Sequence, residues 1–191
     1  MFVNAAEVGG TTRSQAHADH GGIYCSNEEN ILFRLAYLIT GDEVQAEDSI
    51  IAAYDLAEQG ETPFRDWRLE WAKCATVRSA IEARLAEIRG CEDRYKNLDR
   101  KGPRHRPQAM RNDLPAMTES ILCLDPEMVI SELDPLARAI LVLRGVLSAS
   151  VRDCSVQLNV SSESVLAVQR RITTWLTTVR KKQVPVLQRP A

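Results

Sequence analysis

The fold is decided by residues 150–180, which read SVRDCSVQLNVSSESVLAVQRRITTWLTTVR. Their periodicity predicts a short helix from about Ser150 to Leu158, a break at Asn159-Val160, and a longer helix from about Ser162 to Arg180. The side-chain oxygen of Ser161 is placed to cap the longer helix. The apolar residues of that helix recur at helical intervals and form its predicted buried face: Val165, Val168, Ile172, Trp175 and Val179. A short helix, a tight turn and a longer helix are typical of the helix-turn-helix plan.

The exposed positions of the longer helix are candidates for contact with DNA, because in this plan the second helix enters the major groove. They are Ser162, Glu163, Leu166, Gln169 and Arg170, with Arg171 on the flank. From Ser131 onward the chain has nine basic residues against four acidic ones, although its formal net charge is −2. This excess suits a polyanion, with Lys181 and Lys182 as phosphate contacts, but a solvated basic face explains it equally well.

Helical periodicity also runs through the N-terminal half. The first helix begins near Asn27 and ends before Gly41, which is well placed as a helix C-terminal residue. The second runs from about Glu43 to Glu58, and the third from about Phe64 to Ile88. The apolar side of the second is predicted to consist of Val44, Ile50, Ile51 and Tyr54. Asp134-Pro135 begins a later helix, because an acidic N-cap followed by proline suits a first turn.

Changes in composition divide the chain into segments. We predict an all-α fold of two small helical domains joined by a flexible linker, the second domain being a helix-turn-helix. The segments are a disordered N-terminal extension (1–26), a first helical domain (27–89), a linker rich in proline and charge (90–117), a helix-turn-helix domain (118–182) and a C-terminal tail (183–191).

Five stretches of the chain occur in an order shared by a known family. They are residues 32–42 (LFRLAYLITGD), 46–48 (AED), 64–67 (FRDW), 133–144 (LDPLARAILVLR) and 158–161 (LNVS). The first three resemble the core-binding and promoter-melting domain of the extracytoplasmic-function (ECF) group of bacterial RNA polymerase sigma factors, within the sigma-70 family. The last two are similar to the beginning of the second domain and to the turn before the recognition helix of that family.

The resemblance implies a transcription initiation protein that binds core RNA polymerase and directs it to promoter DNA. The implied polymerase contacts are Glu47, Asp48 and Asp55 on the second helix. The third helix would approach the promoter and its melted strand, with cations that bind phosphates and tryptophans that stack on bases. Its implied contacts are Arg65, Trp67, Arg68, Trp71, Lys73 and Arg78. Core packing explains the two tryptophans equally well.

The chain departs from the family at several positions. The Gln and the acidic residue that usually contact the polymerase clamp are replaced by Ile51 and Ala52, and two basic positions of the recognition helix are held by Leu166 and Val168. The usual turn glycine is Asn159, which tolerates a left-handed backbone. A second hypothesis is therefore a sigma-like decoy that occupies an anti-sigma factor or another regulatory protein without initiating transcription. A third is an ordinary helix-turn-helix repressor.

Other function classes have little support in the sequence. It contains no glycine-rich phosphate loop, no nucleophile elbow and no zinc-protease motif, so we expect no enzyme, no cofactor and no small-molecule substrate. His17, Asp19, His20 and Cys25 lack a fourth metal ligand at usable spacing. The five scattered cysteines are typical of a reducing compartment, and neither a signal peptide nor a membrane span is recognisable. We expect a cytoplasmic protein.

Overall fold

The computed structural model describes residues 27–59, 68–101 and 121–183, and within these ranges the chain forms seven α-helices and no strand. The predicted all-α class is confirmed for this part of the chain. None of the described helices combines the length and the apolar character needed to cross a membrane. The helices are α1 (Asn27–Thr40), α2 (Glu43–Gln59), α3 (Arg68–Lys101), α4 (Pro126–Glu132), α5 (Pro135–Gly145), α6 (Val151–Leu158) and α7 (Ser162–Gln183).

Helices α1 and α2 are joined at Gly41, as the sequence predicts. Gly41 has φ +67°, a left-handed conformation that an L side chain rarely adopts, and its N–H donates to the carbonyl oxygen of Tyr37 at 2.8 Å. Asp42 then caps α2, because its Oδ1 accepts the N–H of Gln45 at 2.9 Å. The chain therefore reverses within two residues, and α1 and α2 pack against each other and against α3.

The prediction for the apolar side of α2 is wrong for most of its residues. Of the predicted set only Ile50 is buried, whereas Val44, Ile51 and Tyr54 are exposed. The buried side is formed by Ile50 and three small residues at helical spacing, Ala46, Ser49 and Ala53. Val44, Ile51 and Tyr54 lie on the outer face of the helix, away from α1 and α3.

Helix α5 is the centre of the described structure. Asp134 caps it by accepting the N–H of Ala137 at 3.0 Å, and Pro135 lies in its first turn, as predicted. Every residue from Leu136 to Gly145 is buried, because α5 contacts α1, α3, α6 and α7. An apolar helix that is covered on all sides is a core element rather than an amphipathic surface helix.

The predicted separation into two helical domains is not seen among the described residues. Helix α3 continues to Lys101, so residues 90–101 are helical and not part of a linker, while residues 102–117 lie outside the described ranges. Ile88, Cys91 and Tyr95 extend the buried face of α3 at helical spacing, in one core cluster with residues of α1, α5 and α7. Gly90 lies inside this helix on its exposed side, where an added Cβ would meet nothing within 4 Å.

The short helix, turn and longer helix lie where the sequence predicts them. Ser150 caps α6 in a reciprocal capping box with Asp153, and Asn159 adopts the left-handed conformation (φ 51°, ψ 49°) that ends α6. Ser161 accepts the N–H of Ser164 at 3.2 Å, which is the predicted cap of α7. Helix α4 was not predicted, although Asp125 followed by Pro126 repeats the signal that begins α5.

We expect Cys154 to be protected from thiol reagents and Cys123 to react readily. Cys123 is exposed, whereas Cys154 is fully buried, and burial raises the pKa of its thiol from 9.0 to about 11. Because the thiolate is the nucleophile, a shift of that size reduces the reactive fraction at pH 8 roughly a hundredfold, in addition to the steric protection. Mass spectrometry after iodoacetamide treatment of a Cys25→Ser variant measures both rates, and comparable labelling of the two thiols would contradict the buried position of Cys154.

Candidate functional site

The first candidate surface is the outer face of α2, formed by Val44, Glu47, Asp48, Ile51, Tyr54 and Asp55. With about 100° of rotation per residue, these six positions fall within about a third of the helix circumference. Val44 is 66% exposed, Ile51 40% and Tyr54 44%. Asp48 and Asp55 are also exposed, and Glu47 is half-buried. The structure therefore brings the three predicted polymerase contacts together on one face, which we call the α2 face.

The α2 face carries both apolar and acidic side chains: Asp48 and Asp55 lie along one edge, and Glu47 lies between Tyr54 and Ile51 around the helix. Helix α2 contains five acidic residues and no basic residue. Large exposed apolar side chains that are rimmed by polar residues are typical of protein interaction sites. A complementary partner would present apolar side chains flanked by lysine or arginine.

The second candidate surface is the exposed side of α7. Ser162, Glu163, Leu166 and Arg170 are exposed on one side of the helix, as predicted. Gln169 is a correction, because its side chain is half-buried and its Oε1 atom is buried without a hydrogen-bond partner. Further along the same side, the hydroxyls of four threonines donate to the backbone one turn earlier: Thr173, Thr174, Thr177 and Thr178. Arg170 is thus the cation near the beginning of this surface.

The beginning of α7 is in contact with the C-terminal half of α3. Glu92 Oε1 accepts the N–H of Ser161 at 2.8 Å and the hydroxyl of Ser164 at 3.2 Å, and its Oε2 lies 2.9 Å from Lys96 Nζ. Burial of Glu92 opposes its ionisation, but the hydrogen bonds from Ser161 and the ammonium group of Lys96 outweigh burial and lower its pKa. A charged carboxylate therefore lies at the N-terminus of α7.

A second contact between α3 and the C-terminal helices involves Tyr95, which is buried. Its hydroxyl donates to Asp134 Oδ2, and the guanidinium of Arg171 lies 5.9 Å from the centre of its ring. Arg171 Nη1 is 3.4 Å from the tyrosine hydroxyl and 3.9 Å from Asp134 Oδ2. Burial, followed by the hydrogen bond to Asp134, raises the pKa of Tyr95. Arg171, predicted as a DNA contact, therefore contacts Tyr95 and Asp134, and its side chain remains 52% exposed.

The predicted promoter contacts on α3 are only partly within the described residues. Arg65 and Trp67 lie outside them, as does the side chain of Arg68. Trp71 is exposed. Lys73 is 2.7 Å from Glu70 and Arg78 is 3.0 Å from Glu82, and five positions of separation place these two cations about 140° apart around the helix. The structure does not bring them into one stripe.

The side chains of several other predicted site residues lie outside the described part of the structure. Lys181 and Lys182 lie in the last turn of α7, with side chains outside the description, and the histidines of the N-terminal segment lie outside the described residues. Among the described residues, no group of three His, Cys, Asp or Glu side chains could hold a metal ion.

No protein-family model matches the chain, and no curated protein or solved structure is significantly similar to it.

Proposed function

We propose that the chain is a sigma-factor-like transcription initiation protein that binds core RNA polymerase through the α2 face and directs it to promoter DNA through α6 and α7. The observation that carries this proposal is the α2 face itself. Glu47, Asp48 and Asp55 were assigned to polymerase binding from the family resemblance, and they share one exposed face with unburied apolar side chains.

The arrangement of α6 and α7 supports the DNA-directed part of the proposal. A capped short helix, a three-residue turn from Asn159 to Ser161 and a longer helix leave Ser162, Leu166 and Arg170 exposed. Arg170 can form a bidentate contact with guanine, and Leu166 can contact a thymine methyl group. One such pair discriminates between bases by only ~1–3 kcal/mol, so α7 alone would give modest selectivity.

The second candidate function is the sigma-like decoy, which would bind an anti-sigma factor or another regulatory protein. It is favoured by the apolar character of the α2 face, because Ile51 is exposed where the family usually has a Gln that contacts polymerase. It is also favoured by α7, where Glu163 and Leu166 lie beside Arg170 and weaken attraction to phosphates.

We expect the full chain to co-elute with core RNA polymerase, and the double variant Glu47→Lys, Asp48→Lys to lose that complex. Charge changes at a desolvated interface typically cost ~2–5 kcal/mol, which corresponds to at least about a thirtyfold weaker complex. The matched control is Glu82→Lys, Asp93→Lys, which reverses two exposed charges on α3. Absence of wild-type binding at micromolar concentration, or equal loss in both double variants, would contradict polymerase binding by the α2 face.

The same assay separates the two candidate functions. If the α2 face binds polymerase, Ile51→Gln, Ala52→Glu, which introduces the residue types usual in the family, should keep or strengthen co-elution with core enzyme. The decoy predicts no co-elution of the wild type with core enzyme at micromolar concentration.

A further inference from the structure

Arg138 in α5 is a buried cation with unsatisfied hydrogen-bond donors. The residue is 4% exposed, and its Nε and Nη1 atoms are buried without a hydrogen-bond partner among the described residues. Its guanidinium lies against the turn between α1 and α2, where a Cβ built on Gly41 would be 2.4 Å from Nη1 and 3.4 Å from Cζ. A buried charge whose donors are not hydrogen-bonded is costly to the folded state.

The charges around Arg138 do not compensate it. Arg84 of α3 reaches the same turn, because its Nε and Nη2 donate to the carbonyl oxygen of Thr40 at 2.8 Å and 2.5 Å. Burial, followed by the charge of Arg84, lowers the pKa of Arg138. The two carboxylates that oppose this shift are engaged elsewhere, since Glu87 is 2.6 Å from Arg84 and Asp134 accepts the hydrogen bonds described above.

We infer that the turn at residues 40–42 is a built-in site of local opening, at which the turn moves away from α5 and water reaches the guanidinium of Arg138. Asp42 in this turn caps α2 through the N–H of Gln45, so opening also frees the first turn of α2, which contains Val44 of the α2 face. The inference holds whatever the α2 face binds, and it is tested on the protein alone.

The test replaces Arg138 by methionine, which keeps a long side chain in the core and removes the charge with its donors. In the wild type, the hydrogen-bonded amides of Gly41, Gln45 and Ala46 should exchange faster than that of Leu141 at the buried centre of α5. Arg138→Met should raise the urea midpoint, because the closed turn no longer buries an uncompensated charge. Exchange at the three turn amides should slow by at least about fivefold, the lower end of the penalty for one unsatisfied buried group.

The matched control is Arg144→Met on the same helix. Arg144 is similarly buried, at 6% exposure, but its Nη1 donates to the carbonyl oxygen of Ala149 at 2.8 Å, and its Nε alone is buried without a partner. Hydrogen bonds from charged groups stabilise more than neutral ones, so loss of this bond should lower the urea midpoint. Opposite shifts from the two changes exclude a general preference of the core for methionine.

A second variant separates charge from shape. Arg138→Lys keeps a buried cation at this position, so the amides of the turn should exchange at least as fast as in the wild type. If Arg138→Lys slows exchange as much as Arg138→Met, the charge is not the cause and the inference is overturned.

The remaining outcomes also decide. A lower urea midpoint in Arg138→Met, with faster exchange at residues 41–46, means that Arg138 stabilises the closed turn, as it would if ordered water satisfied its donors, and overturns the inference. Unchanged exchange at the turn in Arg138→Met, or wild-type exchange there no faster than at Leu141, overturns it too, because the charge would then not be released by a local opening.

Discussion

Replacing Gly41 by alanine should destabilise the protein by about 2 kcal/mol or more. Two costs add at this position. An L residue in the left-handed region costs roughly 1–2 kcal/mol. In addition, the new Cβ would lie 2.4 Å from Arg138 Nη1 and 3.3 Å from Ile130 Cγ2. The guanidinium would have to move, but Arg138 is only 4% exposed and has little room to do so.

The control for this substitution is Gly90→Ala in the exposed side of α3. An added Cβ there meets nothing within 4 Å, and glycine inside a helix is less favourable than alanine by roughly 0.5–1 kcal/mol. The two glycine-to-alanine changes should therefore shift the urea midpoint in opposite directions. A loss of stability in Gly90→Ala, or none in Gly41→Ala, would contradict the backbone and packing described for these positions.

Local signals explain which elements could be predicted from the sequence. Gly41 ends α1 with a left-handed backbone, and Asp134 and Ser150 begin α5 and α6 by accepting hydrogen bonds from backbone N–H groups of the first turn. Such contacts span a few residues and are visible in sequence. The αL turn at Asn159 belongs to the same class, because Asn tolerates that conformation.

Two predictions were wrong, the buried side of α2 and the linker at residues 90–101, because both depend on packing between distant parts of the chain. The orientation of α2 depends on which side α1 and α3 approach, and close packing placed Ala46 and Ala53 inside while Val44 remained outside. Glycine and charge in residues 90–101 were interpreted as a linker, although Ile88, Cys91 and Tyr95 continue a helical apolar period. That period was the signal that could have extended α3.

The candidate site was only partly predictable. Glu47, Asp48 and Asp55 were singled out by resemblance, and their shared face with Ile51 follows from helical periodicity once the buried side is assigned correctly. The bond between Glu92 and Ser161 joins residues 69 positions apart. No local pattern marks such a pair, so the engagement of α7 by α3 emerges only from the structure.

The shared core leads to the prediction with the largest expected effect. Ile140 is fully buried in α5, which contacts helices from both halves of the chain. Truncation to alanine removes buried methyl groups and leaves a cavity, at a typical cost of ~2–5 kcal/mol. That is a large fraction of the ~5–15 kcal/mol by which native proteins are stable.

A single core and two domains differ in which helices lose stability in Ile140→Ala. In a single core, amide exchange should accelerate in α1 and α3 as much as in α5 and α7, and circular dichroism should show one unfolding transition at lower denaturant. Two independent bundles would keep the protection of α1 and the first half of α3 unchanged. Val156→Ala, at a side chain that is 72% exposed, is the matched control and should change stability by no more than about 0.5 kcal/mol. Unchanged protection of Leu35 and Leu38 in Ile140→Ala would therefore restore the two-domain interpretation, and with it α6 and α7 as a unit that moves independently of the α2 face.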